Sequence, residues 1–189
     1  VPDSVLKLLT LPLEKLSKFK HIIATNEGGA ISLAIGYYLS TKKIAAVYLQ
    51  NSGLGNAINP LVSIAHREVY SIPMLLIIGW RGSPNQQDEP QHKAKGKITL
   101  KLLDLLKIKK CIIRNQKDLS KLSKLISYSR KNNVPVACLF EKNVIVSKKK
   151  IKIKKGNNGN LFRNYVLEKI LINLKKNTKI ISTTGYTSR

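Results

Sequence analysis

The chain is poor in acids, aromatics and sulfur. Its 189 residues include 10 Asp and Glu against 34 Lys and Arg, with two Cys, one Met, one Trp and aromatics at 6%. The two cysteines, Cys111 and Cys138, sit in apolar stretches without metal-site spacing. That excludes a disulfide framework and a zinc ribbon, and reads as reduced, buried thiols of a cytoplasmic protein. The longest apolar run, Ile72 to Ile78, is interrupted by Pro73 and falls well short of the roughly 20 residues that cross a bilayer, so no membrane span is expected. Walker A, His-Glu-x-x-His and Gly-x-Ser-x-Gly patterns are all absent, which removes the common phosphate, zinc and serine-nucleophile motifs. Gly53-x-Gly55 has Ile58 at the third glycine position of a dinucleotide fingerprint, and no acid ends the next strand, which argues against NAD. The chain opens at Val1 with neither Met nor a basic-then-apolar leader, and we expect a piece of something longer.

What is abundant is lysine, and it is unevenly spread. Residues 1 to 92 carry 8 basic and 6 acidic side chains, whereas residues 93 to 189 carry 26 basic and 4 acidic. A net charge of +24 first suggests a nucleic-acid partner. The Lys148 to Lys155 run, however, alternates with Ile and has few aromatics around it to stack on bases. Such runs are more often solvated faces, so nucleic acid is not the expected partner. The size and the 43% hydrophobic content predict one well-buried globular core.

Apolar spacing predicts an opening helix or helix pair around Val5 to Leu16, broken near Pro12, with Asp3 and Ser4 as caps. Strands are expected at His21 to Thr25, Ile44 to Leu49, Met74 to Ile78, Lys109 to Ile113 and Val134 to Phe140. Helices are expected at Glu27 to Leu39, at Gly53 to Ala65 with Asn51 or Ser52 as cap, at Ile98 to Leu106 and at Leu119 to Lys131. Trp80 to Gly96 reads as a polar loop, and the Lys155 to Asn160 stretch as a linker before a helix near Leu161 to Leu174 and a strand at Lys179 to Ser182. The alternation implies an α/β fold with a doubly wound, mostly parallel sheet and helices on both faces.

Ligands of such sheets lie beyond the carboxyl ends of the strands. The loops there hold Asn26-Glu27-Gly28-Gly29, Gln50 to Asn56, Gly79-Trp80-Arg81-Gly82 running on to His92, and the terminal Thr183 to Thr187. Glu27, a lone carboxylate at a strand-to-helix turn, has two readings: an ordinary first-turn acid, or a group that hydrogen-bonds a bound ring nitrogen.

Thr25-Asn26-Glu27-Gly28-Gly29-Ala30, the block Val47 to Leu61, Glu68 to Pro73, Gly79-Trp80-Arg81-Gly82 and Asp88-Glu89-Pro90-Gln91-His92 together resemble the thiamine-diphosphate-dependent phosphonopyruvate decarboxylases. Val1-Pro2-Asp3-Ser4 and Thr183 to Arg189 are similar to the same family, so the resemblance spans both ends. It implies a pyrimidine-binding domain over residues 1 to 160. Residues 161 to 189 would then be a linker helix and the first strand of a truncated diphosphate-binding domain. The Gly-Asp-Gly magnesium motif of that second domain is not in this chain, so this stretch alone is expected to be inactive and Mg2+ to be held elsewhere.

By the resemblance, Glu27 is the catalytic carboxylate beside the cofactor's aminopyrimidine, and His92 assists proton transfer. Asp3, Ser4, Arg81 and Gln91 would bind a small anionic 2-keto acid; for Arg81 a structural role in its turn stands equally open. Asn26, Asn51, Ser52 and Gly53 would line the pyrimidine side, and Thr184, Gly185, Tyr186 and Thr187 the diphosphate. The family also implies at least a homodimer with the site between chains. The implied reaction turns 3-phosphonopyruvate into phosphonoacetaldehyde and carbon dioxide. A sulfopyruvate decarboxylase subunit, or a non-catalytic basic nucleic-acid-binding module, are the alternatives. His66-Arg67 and the Lys-rich 141 to 155 segment depart from the family pattern, away from Glu27.

Overall fold

The protein is described from a computed structural model, which places residues 1, 3–13, 21–84, 86–146 and 163–173. The chain divides into two units, Val1–Lys149 and Lys150–Arg189. In the second, the described element is the helix Arg163–Ile172. The Lys148 to Lys155 run, the linker after it and the strand expected at Lys179 to Ser182 lie outside the described residues.

The first unit is built on four parallel strands, β1 (Ala45–Gln50), β2 (Met74–Trp80), β3 (Lys109–Ile113) and β4 (Pro135–Glu141), in the order β1-β2-β4-β3. Parallel sheets need both faces covered, because each crossover lays a helix on one of them. Strand β2 shows the consequence. Met74, Leu76, Ile78 and Trp80 face one layer while Leu75 and Ile77 face the other, so the strand reads as one apolar run.

Helices α2 (Glu27–Thr41), α3 (Leu54–Pro60) and α4 (Pro90–Leu105) cover the first face. Ile31, Ile35, Leu54, Leu61 and Leu103 pack there on Leu49, Leu76, Ile78 and Leu139. On the opposite face α1 (Lys7–Leu13) and α5 (Leu119–Asn132) contribute to a smaller core in which Leu6 and Leu125 meet Tyr48, Val136, Cys138 and Phe140. Cys111 and Cys138 are register partners on β3 and β4, and both are free thiols. Burial pushes both up, Cys138 to about 12.

Three expectations are corrected. Residues His21 to Thr25 are not a strand: among the described residues no ladder partner holds them, Ile22 and Ile23 stand 66% and 58% exposed, and the segment is tied instead by His21 Nε2 to the Tyr48 hydroxyl at 2.8 Å. Helix α4 starts at Pro90 rather than Ile98, so the expected loop ends early. Its first two turns are polar and carry no apolar period, while Pro90 suits the first helical position because no N–H partner is needed there. Neither Asn51 nor Ser52 caps α3 through its side chain. Asn51–Gly53 instead form a tight 3-10 turn that runs directly into α3. After Pro60, which has no N–H to give, the backbone widens into a π turn over Leu61–Ala65.

Candidate active site

The head of α2 is set by Asn26, whose backbone is extended (φ −152°) and whose Oδ1 accepts the Gly29 N–H at 2.8 Å. A residue expected to touch the cofactor is thus employed as a helix cap. Glu27 follows in the first turn, and its side chain crosses Gly53 at the end of β1. A Cβ on residue 53 would lie 2.2 Å from the Glu27 carboxyl carbon. Only glycine leaves room for that carboxylate. Glu27 Oε2 accepts a hydrogen bond from Asn56 Nδ2 at 3.2 Å, while Oε1 lies against Gly53 and has no hydrogen bond among the described residues; the charged N-terminus of Val1 also acts on this carboxylate. The α2 and α3 heads interlock further at Gly28, where a Cβ would sit 2.8 Å from the Asn56 carbonyl oxygen.

A second cluster forms at the end of β2. The buried Asn51 amide receives the Arg81 N–H on Oδ1 at 3.0 Å and donates from Nδ2 to the Arg81 carbonyl and to Thr99 Oγ1, both at 2.9 Å. Asn51 therefore ties β1, β2 and α4 together. Arg81 Nε donates to Asp88 at 2.7 and 3.1 Å, and its Nη2 also donates to Asp88, a fork-to-fork pair. The Gly82 and Glu89 N–H groups add two more bonds to the same carboxylate. These donors hold the Asp88 carboxyl far below the usual range, the Arg81 guanidinium first among them. What remains to Arg81 is its Nη1 edge, which donates to Ser4 Oγ at 3.2 Å.

Asp3 is 7% exposed and lies over Gly79, where a Cβ would come 1.9 Å from Asp3 Oδ2. Oδ2 accepts the Leu6 N–H at 3.0 Å, while the buried Oδ1 has no partner. Burial pushes this carboxyl up, against the pull of the Leu6 N–H and Arg81. The same site thus holds one carboxyl driven toward its neutral form and one held ionised. His92 is not on a loop but in the first turn of α4, with Nδ1 buried and unpartnered. Burial first, and Arg81 second, lower its pKa and favour the neutral ring. Gln91 beside it is exposed, and Ser52 is half-buried.

Glycines make this assembly possible. Gly82 is left-handed at φ +66°, and a Cβ there would stand 2.0 Å from the His92 carbonyl oxygen. One on Gly96 would stand 1.7 Å from the Gly82 carbonyl oxygen. Trp80 Nε1 donates to the Gly96 carbonyl at 3.0 Å, fixing α4 against the turn. Sequence reasoning missed Asn56, Asp88 and Thr99. The available signals were weak: Asn56 closes the Gly-rich turn and Asp88 opens the Asp-Glu-Pro block, but neither position carried a role by itself. Thr184, Gly185, Tyr186 and Thr187 lie outside the described residues. Among the described residues no group of three or more His, Cys, Asp or Glu could hold a metal, and no helix is long and apolar enough to cross a membrane.

The model of thiamine pyrophosphate enzymes, N-terminal TPP binding domain, matches residues 1–103, more than half of the chain and all of both clusters. The chain belongs to this family. Similar relatives of this thiamine pyrophosphate family include a phosphonopyruvate decarboxylase of Streptomyces hygroscopicus, 30% identical over 186 residues, which covers 90% of this chain and 46% of the relative. The Streptomyces viridochromogenes phosphonopyruvate decarboxylase is 41% identical over 99 residues, 52% of this chain and 24% of that protein. The sulfopyruvate decarboxylase subunit alpha of Methanocaldococcus jannaschii is 37% identical over 142 residues, 75% of this chain and 82% of that subunit. The chain spans less than half the length of the phosphonopyruvate decarboxylases it matches. Family membership and the parallel α/β sheet agree with what the residue blocks imply.

Proposed function

We propose that this chain is the pyrimidine-binding part of an enzyme that decarboxylates 3-phosphonopyruvate to phosphonoacetaldehyde and carbon dioxide with thiamine diphosphate. The observation that carries the reading is Glu27: a carboxylate seated over Gly53, braced by Asn56 on one oxygen and without a hydrogen bond on the other among the described residues. That cradle fits an aminopyrimidine, whose protonated ring nitrogen needs one acceptor at that oxygen. When bound, thiamine diphosphate supplies the nucleophilic carbon and the electron sink that loss of carbon dioxide from a 2-keto acid requires.

The protein's own groups do the rest. Glu27 holds the ring proton at Oε1. Asn26, through its backbone, and Asn51, Ser52 and Gly53 line the pyrimidine side. Ser4 and the Nη1 edge of Arg81 face the substrate's anionic end, and Gln91 extends that wall. Asp3, its carboxyl pushed up by burial, lies on the same side, and His92, as the neutral ring, accepts or passes a proton. Thr184, Gly185, Tyr186 and Thr187 approach the diphosphate, with Mg2+ bound by residues beyond this chain. The enzyme is at least a dimer, with the site completed between chains, and works in the cytoplasm. Residues 1 to 160 form the pyrimidine domain, and 161 to 189 lead into the next.

A second reading has its own support. The chain covers 82% of a sulfopyruvate decarboxylase subunit alpha, so it fits a split enzyme whose other half is a separate polypeptide. The test is carbon dioxide and aldehyde release by the protein extended to include the diphosphate domain, with thiamine diphosphate and Mg2+, on phosphonopyruvate and sulfopyruvate side by side. Glu27→Gln should lower turnover at least about 100-fold with folding unchanged. Turnover that survives this substitution, or that needs no cofactor, would sink the reading; faster use of sulfopyruvate would move it to the second substrate.

A further inference from the structure

The amino ends of the strands, away from Glu27, carry a second recess. Ala45 on β1, Met74 on β2 and Pro135 on β4 share the first rung of the sheet, and Ile44, Pro73 and Asn133 precede that rung. Helix α2 ends on one side of the sheet here and α5 on the other, each at a left-handed residue. Lys42 (φ 58°) returns its N–H to the Tyr38 carbonyl at 2.8 Å, and Asn133 (φ 51°) returns its own to the Ser129 carbonyl. These turns stop the helices and send the chain directly into β1 and β4. Between them lies a cleft of about 470 Å³, lined by Tyr38, Lys42, Lys43, Arg130 and Asn133 from the helix ends and by Ile44 and Pro73 from the strand entries. That is the size of a small-molecule site.

Charge sets this cleft apart. Lys42 and Lys43 come from the α2 side and Arg130 from the α5 side, so three cations converge on one recess. Among the described residues no carboxylate lines it, and the five ion pairs use Arg81, Lys107, Lys110, Arg114 and Lys121 instead. The two helix C-termini together offset about one positive charge, which leaves an excess of about two. Like charges held around one cleft repel each other, and an anion seated between them converts that repulsion into attraction. The rest of the lining has a different character. Tyr38 and Ile44 are half-buried and Pro73 is buried, an apolar wall beside the cations. A bare inorganic anion would meet the charges and leave this wall in water.

We propose that this cleft binds a nucleoside polyphosphate, with the phosphates held between Lys42, Lys43 and Arg130 and the base set against Tyr38, Ile44 and Pro73. Arg130 offers a planar fork to phosphate oxygens, and the two lysines offer point charges on flexible stems. The Asn133 amide can donate to the same group or to the sugar. Every base has a flat face, so the site reads the presence of a ring and the number of phosphates rather than base identity. At ~3.3 Å per strand residue, the length of β1 puts the cleft roughly 20 Å from the Glu27 end of the sheet. It shares no residue with the Glu27 and Arg81 clusters, so its failure would leave the decarboxylase reading standing.

The test is calorimetric titration of the full chain with ATP, without added metal, at about 0.15 M salt, which screens scattered lysine contacts. One ATP per chain is expected, with a dissociation constant of about 0.1 mM. Arg130→Gln should weaken binding about 10-fold, and Lys42→Gln and Lys43→Gln somewhat less. Tripolyphosphate, which cannot use the apolar wall, should bind about 10-fold more weakly than ATP. Tyr38→Leu should weaken ATP but not tripolyphosphate, with unchanged circular dichroism. Lys117→Gln and Lys124→Gln, at exposed cations that do not line the cleft, should change nothing. No binding up to about 5 mM ATP overturns the proposal. So does binding indifferent to Arg130→Gln, binding weakened equally by Lys124→Gln, or tripolyphosphate held as tightly as ATP. A short oligoadenylate that displaces ATP and binds more tightly would also overturn it, by marking a nucleic-acid surface.

Discussion

Helices α2 and α5 pack on opposite faces of one sheet, yet their outer surfaces differ completely. Helix α5 carries Lys121, Lys124, Arg130 and Lys131 and buries little beyond Leu125 and Ser129. Helix α2 carries one charge, Glu27, at its head. The second is not simply more hydrophobic; it lies in a stretch that has escaped the lysine enrichment of the rest. Residues 44 to 66 also carry no charged side chain. Lysine has accumulated where the surface meets water and costs little, as on α5, where the last-turn cations also suit the helix dipole. It is missing from the outer face of α2 and from the stretch that holds most of the first cluster. Glu27, Asn51, Gly53 and Asn56 all fall in or beside that spared stretch.

The comparison can be broken most forcefully at Gly96. Gly96→Ala should destabilise the first unit by about 3 kcal/mol or prevent its folding, since the new methyl collides with the Gly82 carbonyl and not with a movable side-chain end. Thermal melting of the variant checks this, and a near-native melting temperature would mean that the β2–α4 junction is looser than described.

The two carboxyls of the site sharpen the comparison by opposite signs. Asp88 is depressed by Arg81, so its stabilisation is present above about pH 4 and is lost as pH falls through its lower folded value. Asp88→Asn should therefore cost about 2 kcal/mol at neutral pH, from one unpaired guanidinium, and the gap should close only in strong acid. Asp3 is raised by burial, so its ionisation weakens the fold as pH rises above about 4. Asp3→Asn keeps an acceptor for the Leu6 N–H and should be more stable than the parent at pH 7, with the difference shrinking toward pH 4. Melting temperatures from pH 3 to 8 decide both; parallel curves for the two variants would contradict the opposed shifts. The smallest effect belongs to α5, where Lys124→Gln should stay within about 0.5 kcal/mol in stability. A larger change would show that its cationic face is constrained after all.

Much of the fold was legible because parallel strands buried on both sides are written as short continuous apolar runs, as in Met74 to Ile78 and Val134 to Phe140. Where the signal failed, the cause was local. Pro90 to Lys97 carries no apolar period, so the start of α4 was hidden. Asn51 has the residue type of a cap but the surroundings of a three-way tie. Residues His21 to Thr25 are apolar enough for a strand, yet a strand exists only where a neighbour supplies its ladder. In the site, Glu27 and Arg81 were readable as residues of the right chemistry at strand ends. That Asp88 occupies one edge of the Arg81 fork was not, because the six loop residues between them give no register from which to infer contact.

Two kinds of information therefore separate. Element type, sheet class, the spared α2–α3 stretch and the family-bearing blocks followed from the order of residues, since periodicity and composition are local properties. The seat of Glu27 over Gly53, the upward push on Asp3 and the closed fork of Arg81 depend on what approaches from another element. Desolvation, pairing and excluded volume act through space, and only the tertiary structure says which atoms are near enough to exert them.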